Sequence, residues 1–185
     1  LWGPPGCGKT TLARLIANYH NASFIELSAV TSGVKDLKEA VEKARESLRV
    51  GVRTILFIDE IHRYSKTQQD ALLPHIENGT LHLMGSTTEN PSFQVVPALL
   101  SRVQVIMLNP IDDISMRKIV QRGFNYLENN YKNDVKIEDD VIDTIVRLSS
   151  GDARFALNTV ENSYFASNKI LSSAIVEKLL QKSVA

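Results

Sequence analysis

Leu1-Trp2-Gly3-Pro4-Pro5-Gly6-Cys7-Gly8-Lys9-Thr10-Thr11 opens the chain, and its middle fits the spacing Gly-x-x-x-x-Gly-Lys-[Ser/Thr]. Context decides how it is read. Leu1 and Trp2 read as the last residues of a strand whose start is missing, and beyond Thr11 the apolar residues Leu12, Leu15, Ile16 and Tyr19 recur at helical spacing. A glycine-rich turn between strand and helix lets backbone N–H groups point inward around an anion, at a helix end that carries partial positive charge. Lys9 is placed to reach the β- and γ-phosphates of a nucleotide, and the Thr10 hydroxyl to take a Mg²⁺ position. The segment from Gly3 through Thr11 is thus the expected phosphate cradle. On its own it names a nucleotide phosphate, not a reaction.

Working outward, strand and helix signals alternate. Residues 24–27 are a short apolar strand candidate. Leu37, Val41, Ala44 and Leu48 mark one face of a helix of about sixteen residues, with Glu39 and Lys43 a supporting pair on its other face. Residues 54–58, β-branched and aromatic, read as a buried parallel strand. A helix over 68–78 carries Pro74, which should kink it. Residues 80–86 and 103–108 supply two more strands. Such alternation implies an α/β fold, a three-layer arrangement with a parallel sheet covered on both faces and its first strand truncated.

After Asn109-Pro110 the pattern turns helical. Ile119, Val120, Phe124 and Leu127 form one stripe, and Val141, Ile142, Ile145 and Val146 another. Ala153, Ala156, Leu157, Val160 and Tyr164 form a third, and Ile175, Leu179 and Leu180 a weaker fourth. A polar loop over 129–134 separates the first two. The expected organisation is a core over residues 1–110 followed by a small all-α lid bundle over 111–185.

Bulk composition narrows the class. The 185 residues are 43% hydrophobic and 23% charged, typical of a globular domain, and no apolar run approaches a membrane span. No signal peptide is visible, and the lone cysteine, Cys7, fits a reducing, intracellular compartment. With 21 basic and 21 acidic residues there is no global field to draw in nucleic acid. DNA binding would need a local basic surface or a ring of many copies.

Asp59 and Glu60 narrow the reaction. An aspartate at the tip of a buried strand can hold Mg²⁺, and the adjacent glutamate can polarise a water aimed at the γ-phosphate. Helix capping would suit either acid, but an apolar strand ending in an acidic pair is better explained by metal and water. Ligands sit outside the carboxyl ends of parallel strands, so Thr87 or Thr88 can orient that water. Ser28, ending another strand, can bond Glu60 and hold it idle, although a serine there is more often structural. Arg102, after a short helix at 98–101, can reach a neighbouring subunit's γ-phosphate. Arg154 in Gly151-Asp152-Ala153-Arg154 opens a lid helix and can fold over the nucleotide in cis. From spacing alone, each arginine is an ordinary surface residue.

Together these residues resemble the AAA+ ATPases, in the clamp-loader-like branch. Walker A is Gly3 through Thr10, Walker B ends at Asp59-Glu60, and sensor 1 is Thr87 or Thr88. Ser101-Arg102 resembles the finger motif, and Gly151 through Arg154 sensor 2. Phe57-Ile58-Asp59-Glu60-Ile61-His62-Arg63, Glu77-Asn78-Gly79 and Gly85-Ser86-Thr87-Thr88-Glu89-Asn90-Pro91-Ser92-Phe93 are similar to the RarA/MgsA family, which includes Werner helicase-interacting protein. That resemblance implies a DNA-dependent ATPase at stalled or gapped forks, using ATP and Mg²⁺, nuclear in eukaryotes and cytoplasmic or nucleoid-bound in bacteria. It implies ring-like homo-oligomers with fingers working across subunits. The implied partners are single-stranded or forked DNA and ends, single-strand binding protein, polymerase or the sliding clamp, and no membrane. Val103 stands where clamp loaders usually have cysteine, and Tyr64-Ser65 where the family usually has Phe-Asn.

Three other readings share parts of this pattern. A small-molecule kinase uses the same phosphate loop but would need an arginine-rich acceptor lid. A clamp-loader subunit binds ATP with little dependence on hydrolysis, and a RuvB-type motor moves branches. As for DNA contact, Arg45, Arg49, Arg53, Arg63 and Lys66 can line an inner ring, or form a solvated face interleaved with glutamates.

Overall fold

Every residue from Thr54 to Ile58 is buried in strand β2 (Thr54–Asp59), because the strand carries neighbours on both sides. On one side runs β1 (Ser23–Ser28), parallel, with Ser28 opposite Asp59. On the other runs β3 (His82–Gly85), also parallel, with Gly85 opposite Ile58. Past β3 the sheet continues through Trp2, which bridges in parallel to Thr87 and to Met107. The Trp2 N–H donates to the Ile106 carbonyl at 2.9 Å, and the Leu108 N–H donates to the Trp2 carbonyl at 2.7 Å. The strand expected over 103–108 is therefore a single bridge. Gly3 must be glycine where it stands, since a Cβ would run into the Leu108 carbonyl.

The computed structural model describes residues 1–131, 135–167 and 169–182. By contact the chain divides into two units. One comprises Leu1–Gly3 and Gly8–Leu108, the other Pro4–Cys7 and Asn109–Ala185.

In the first unit, helix α1 (Lys9–Tyr19) turns Ala13 and Ala17 inward, both fully buried. The expected stripe does not face the core: Leu15 is 60% and Tyr19 84% exposed. Small alanines let the helix backbone come close to the sheet, which leaves the larger residues on its flanks. Helix α2 (Val34–Arg49) buries Leu37, Ala40, Val41 and Ala44, while the expected Leu48 is exposed. Glu39 pairs with Lys35 at 3.9 Å, in place of the expected Lys43.

The single kinked helix expected over 68–78 is two helices, α3 (Lys66–Asp70) and α4 (Leu73–Glu77). Pro74 sits in the first turn of α4, where its missing N–H would have had no helical partner. Gln69 is 1% exposed and holds the loops around it. Its amide donates to the Tyr64 and Gln94 carbonyls at 3.0 and 3.2 Å and accepts from the Val96 N–H at 2.9 Å. Short helices α5 (Pro91–Gln94) and α6 (Pro97–Leu100) each begin at a proline. Leu56, Ile58, Leu72, Leu81 and Leu99 make the centre of this unit's core.

The second unit is built from α7 (Asp113–Asn130), α8 (Asp139–Ser149), α9 (Ala153–Ala166) and α10 (Ser173–Lys182). Val120, Phe124, Val141, Ile145, Val160 and Tyr164 meet in its core, on the stripes expected from sequence. Leu157, expected on the third stripe, is 42% exposed. The unit is not wholly helical, because β4 (Lys136–Ile137) and β5 (Ile170–Leu171) pair in parallel. Two residues each are too few to show period-2 alternation in sequence. Of the polar loop expected over 129–134, Asn129 and Asn130 belong to the last turn of α7, and 132–134 lie outside the described residues. No helix among the described residues is long and apolar enough to cross a membrane.

Candidate nucleotide site

The phosphate loop is shaped by two left-handed glycines, Gly6 at φ 65° and Gly8 at φ 92°. Gly8 is the N-cap of α1, with no side chain bonded across the cap and no acid in the first turn. The first N–H groups of α1 are therefore not taken up by a capping side chain, at an end that favours negative charge. Lys9 is 8% exposed, and its ammonium donates to the Gly3 carbonyl at 2.9 Å, which places the cation against the loop it closes. Thr10 and Thr11 follow in the same first turn. At the loop apex Gly6 faces Asp152, whose carboxylate occupies the space a Cβ would need, and the Ala153 N–H donates to the Gly6 carbonyl at 3.2 Å.

Asp59 ends β2, and Glu60 leaves the strand at φ 52° and ψ 47°, a left-handed conformation uncommon for a side-chain-bearing residue. That hinge swings Glu60 off the strand direction immediately after Asp59. Ser86 sets both acids: its hydroxyl donates to the Asp59 carboxylate, and its oxygen accepts the Glu60 N–H at 3.3 Å. The Ile61 N–H donates to the Ser86 carbonyl, and the Ser86 N–H to the Ile58 carbonyl, each at 2.9 Å. A Mg²⁺ bound with nucleotide needs few protein ligands, because phosphate oxygens and water complete its octahedron. Asp59 at the tip of β2 and Thr10 in the first turn of α1 carry the kind of oxygen such an ion would take. Among the described residues no group of three or more His, Cys, Asp or Glu could hold a metal by itself.

The Glu60 carboxylate lies 3.1 Å from His62 Nδ1 and 3.5 Å from the Thr88 hydroxyl. Thr87, the first of the two threonines, is buried, and its hydroxyl lies 2.9 Å from the same His62 Nδ1. Ser28, the residue expected to hold Glu60, lies beside Asp59 in the sheet, and among the described residues its hydroxyl makes no bond to Glu60. The hinge at Glu60 is the reason, since it carries the carboxylate toward the β3 end of the sheet instead of the β1 end.

Arg102 is held within its own unit. Its Nε and Nη2 reach Glu77 Oε1 at 2.7 and 2.5 Å, and Nη1 donates to the Ala98 carbonyl at 2.7 Å. Arg154 is exposed at the second position of α9 and has no ion pair among the described residues. Of the basic residues considered for DNA, Arg45 pairs with Glu42 at 2.6 Å, as a solvated face would, while Arg49, Arg53, Arg63 and Lys66 are exposed.

The family model for the ATPase family associated with various cellular activities (AAA) matches residues 1–111. The chain belongs to this AAA family. It is 50% identical over 162 residues to replication-associated recombination protein A of Escherichia coli K12, covering 87% of this chain and 36% of that protein. It is 47% identical over 161 residues to ATPase WRNIP1 of Dictyostelium discoideum, covering 87% of this chain and 18% of that one. These matches group it with the RarA/MgsA branch of AAA ATPases. A solved structure of a Thermotoga maritima RuvB variant superposes with TM-score 0.73 at 25% identity, over 97% of this chain and 59% of that chain. The chain thus spans about a third of the E. coli relative it matches.

Within this AAA chain, reading by sequence passed over Ser86, His62 and Glu89. Ser86 had a signal, a polar residue between an apolar strand and a polar loop, but Thr87 and Thr88 beside it carry the same signal. His62 reads as an ordinary residue of a short turn. Only the fold brings it against residues more than twenty positions away.

Proposed function

We propose that this chain is the nucleotide-hydrolysing core of a DNA-dependent ATPase that acts at replication forks in replication, repair and recombination. The observation that carries the reading is the left-handed hinge at Glu60, which follows Asp59 directly and turns a carboxylate out of the sheet in a chain that also holds a glycine-hinged phosphate loop. The backbone of residues 3–11 and the Lys9 ammonium bind the β- and γ-phosphates of ATP. Thr10 and Asp59 would hold Mg²⁺, which when bound would offset phosphate charge. Glu60 accepts a proton from water as its oxygen bonds to the γ-phosphorus and the bond to the β–γ bridging oxygen breaks, leaving ADP and phosphate. Thr87 or Thr88 serves as sensor, Thr88 standing nearer to Glu60. Arg102 acts on a neighbouring subunit's nucleotide, and Arg154 in cis.

The division into a core over 1–110 and a lid over 111–185 belongs to the same proposal. So do a ring-like homo-oligomer, DNA with single-stranded or forked character, and replication proteins as partners. An intracellular location, in the nucleus of a eukaryote or the cytoplasm or nucleoid of a bacterium, completes it. The relatives named for replication-associated recombination support the fork role. The RuvB superposition supports a second reading, a motor on DNA junctions.

The test is turnover of the intact protein with and without forked DNA. Glu60→Gln should leave ATP bound but uncut. Unchanged turnover in that variant would refute the role of Glu60, and indifference to DNA would refute the DNA-dependent reading. Strand displacement without junction migration separates the fork reading from the RuvB-like one.

A further inference from the structure

We infer that His62 is a positioning residue that fixes the orientation of Glu60 and ties it to the loop following β3; this rests on the reading of Glu60 as the water-activating base. The imidazole is nearly enclosed, with 5% of its side chain exposed, against 28% for Glu60. Its Nδ1 lies 3.1 Å from Glu60 Oε2 and 2.9 Å from Thr87 Oγ1, and its Nε2 lies 3.5 Å from Glu89 Oε1.

The neighbours assign the proton. An ionised Glu60 only accepts. Thr87 directs its own hydroxyl hydrogen to the Glu89 carbonyl at 3.2 Å and accepts the Glu89 N–H at 3.0 Å. Both groups facing Nδ1 are therefore acceptors, and the imidazole hydrogen belongs on Nδ1, shared between them. Glu89 Oε1 also only accepts, but it lies farther from its nitrogen, 3.5 Å from Nε2, so the two closer contacts at Nδ1 carry the assignment.

The consequence is mechanical. Glu60 sits on a left-handed hinge, where its side chain would otherwise sample several rotamers at the strand tip. The buried ring restricts that choice. Thr87 restricts the ring in turn: it is 3% exposed, and its backbone N–H donates to the Leu1 carbonyl at 3.0 Å. A shift of residues 87–89 is thereby transmitted to the base through one imidazole. Precise placing of a reacting group changes rate far more than affinity.

The test uses the intact protein and three readouts. His62→Ala should bind a fluorescent ATP analogue with Mg²⁺ as wild type does and leave KM in place, while kcat falls about tenfold to a hundredfold. His62→Asn, whose amide nitrogen stands close to the Nδ1 position, should recover part of that loss. In nucleotide-free wild type, nitrogen NMR of the imidazole should show hydrogen on Nδ1, with a resonance that moves in Glu60→Gln. Turnover of His62→Ala within about twofold of wild type, no recovery in His62→Asn, or an Nδ1 without hydrogen each overturns the inference. Should His62→Ala fail to fold, His62→Asn and the wild-type NMR still decide it. The underlying reading fails separately: Glu60→Gln with full turnover removes the base, whatever His62 does.

Discussion

Ser86 donates its hydroxyl hydrogen to Asp59 while its oxygen accepts the N–H of Glu60. One fully buried serine thus locks the candidate metal ligand and the hinge that follows it. Ser86→Ala should strand a carboxylate oxygen and a backbone N–H. The expected cost is about 1–2 kcal/mol of stability, read as a lower denaturant midpoint with unchanged slope. Because Asp59 also loses its tether, kcat/KM for Mg-ATP should fall by roughly fivefold to tenfold. Loss of stability with wild-type turnover would show that Ser86 serves the sheet and not the site.

Gly6 and Gly8 separate two demands on the loop. At Gly8 nothing lies within 4 Å of the point where a Cβ would stand, so only the left-handed backbone opposes substitution. Gly8→Ala should cost about 1–2 kcal/mol and weaken ATP binding, as the loop relaxes its turn. At Gly6 the Asp152 carboxylate already fills the space. Gly6→Ala should therefore destabilise more than Gly8→Ala, and the extra loss should shrink in the double variant Gly6→Ala with Asp152→Gly. Calorimetric unfolding of the wild type and these three variants checks both statements.

Much of this was legible in the sequence, and the exceptions have common causes. The parallel strands and the glycine-lysine loop follow from local pattern, as do the stripes through Val120, Ile145 and Val160. The stripe Leu12-Leu15-Ile16-Tyr19 misleads because hydrophobicity marks what a helix can bury, whereas close approach to a sheet selects small residues such as Ala13 and Ala17. Pro74 reads as a kink although a proline equally starts a new helix. Residues 103–108 carry strand-forming side chains but meet the sheet in a single bridge, Trp2 to Met107. In the site, the acid pair was legible because its neighbours in sequence are apolar. The bonds from His62 to Thr87 and from Ser86 to Asp59 were not, since they cross 25 and 27 residues of chain that only tertiary structure closes.

Asp112 should give the helical unit a contribution to stability that is lost in acid. It caps α7, accepting from the Ser115 N–H and hydroxyl, each at 2.8 Å. Those two bonds, the backbone one first, hold its carboxyl below the usual aspartate range. A depressed carboxyl stabilises the fold above its unfolded-state range, and the benefit disappears as pH falls through the folded-state value. Asp112→Asn keeps an acceptor oxygen but not the charge. Its stability relative to wild type should be lower at neutral pH, and the difference should vanish in strong acid. Asp112→Ala should be worse than Asp112→Asn at every pH where the protein is folded. A pH-independent gap between wild type and Asp112→Asn would show that the charge contributes nothing.

Arg102 and Glu77 provide a comparison that separates structure from chemistry, because deleting either one removes the same ion pair. The pair is partly exposed, 37% and 51% on its two sides, so its loss should cost no more than about 1 kcal/mol. Arg102→Ala and Glu77→Ala should therefore unfold at similar denaturant concentrations. Their turnover should differ. A guanidinium that stabilises charge on a neighbour's phosphate is worth about 10³-fold or more in rate, and Glu77→Ala retains it while Arg102→Ala does not. Mixing supplies the decisive measurement. If Arg102 works across a subunit boundary, Arg102→Ala added to wild type should lower activity below the average weighted by composition, since each mixed ring contains sites without a finger. Glu77→Ala added in the same proportion should follow the weighted average. Equal behaviour of the two variants in the mixture would reduce Arg102 to one half of a surface ion pair.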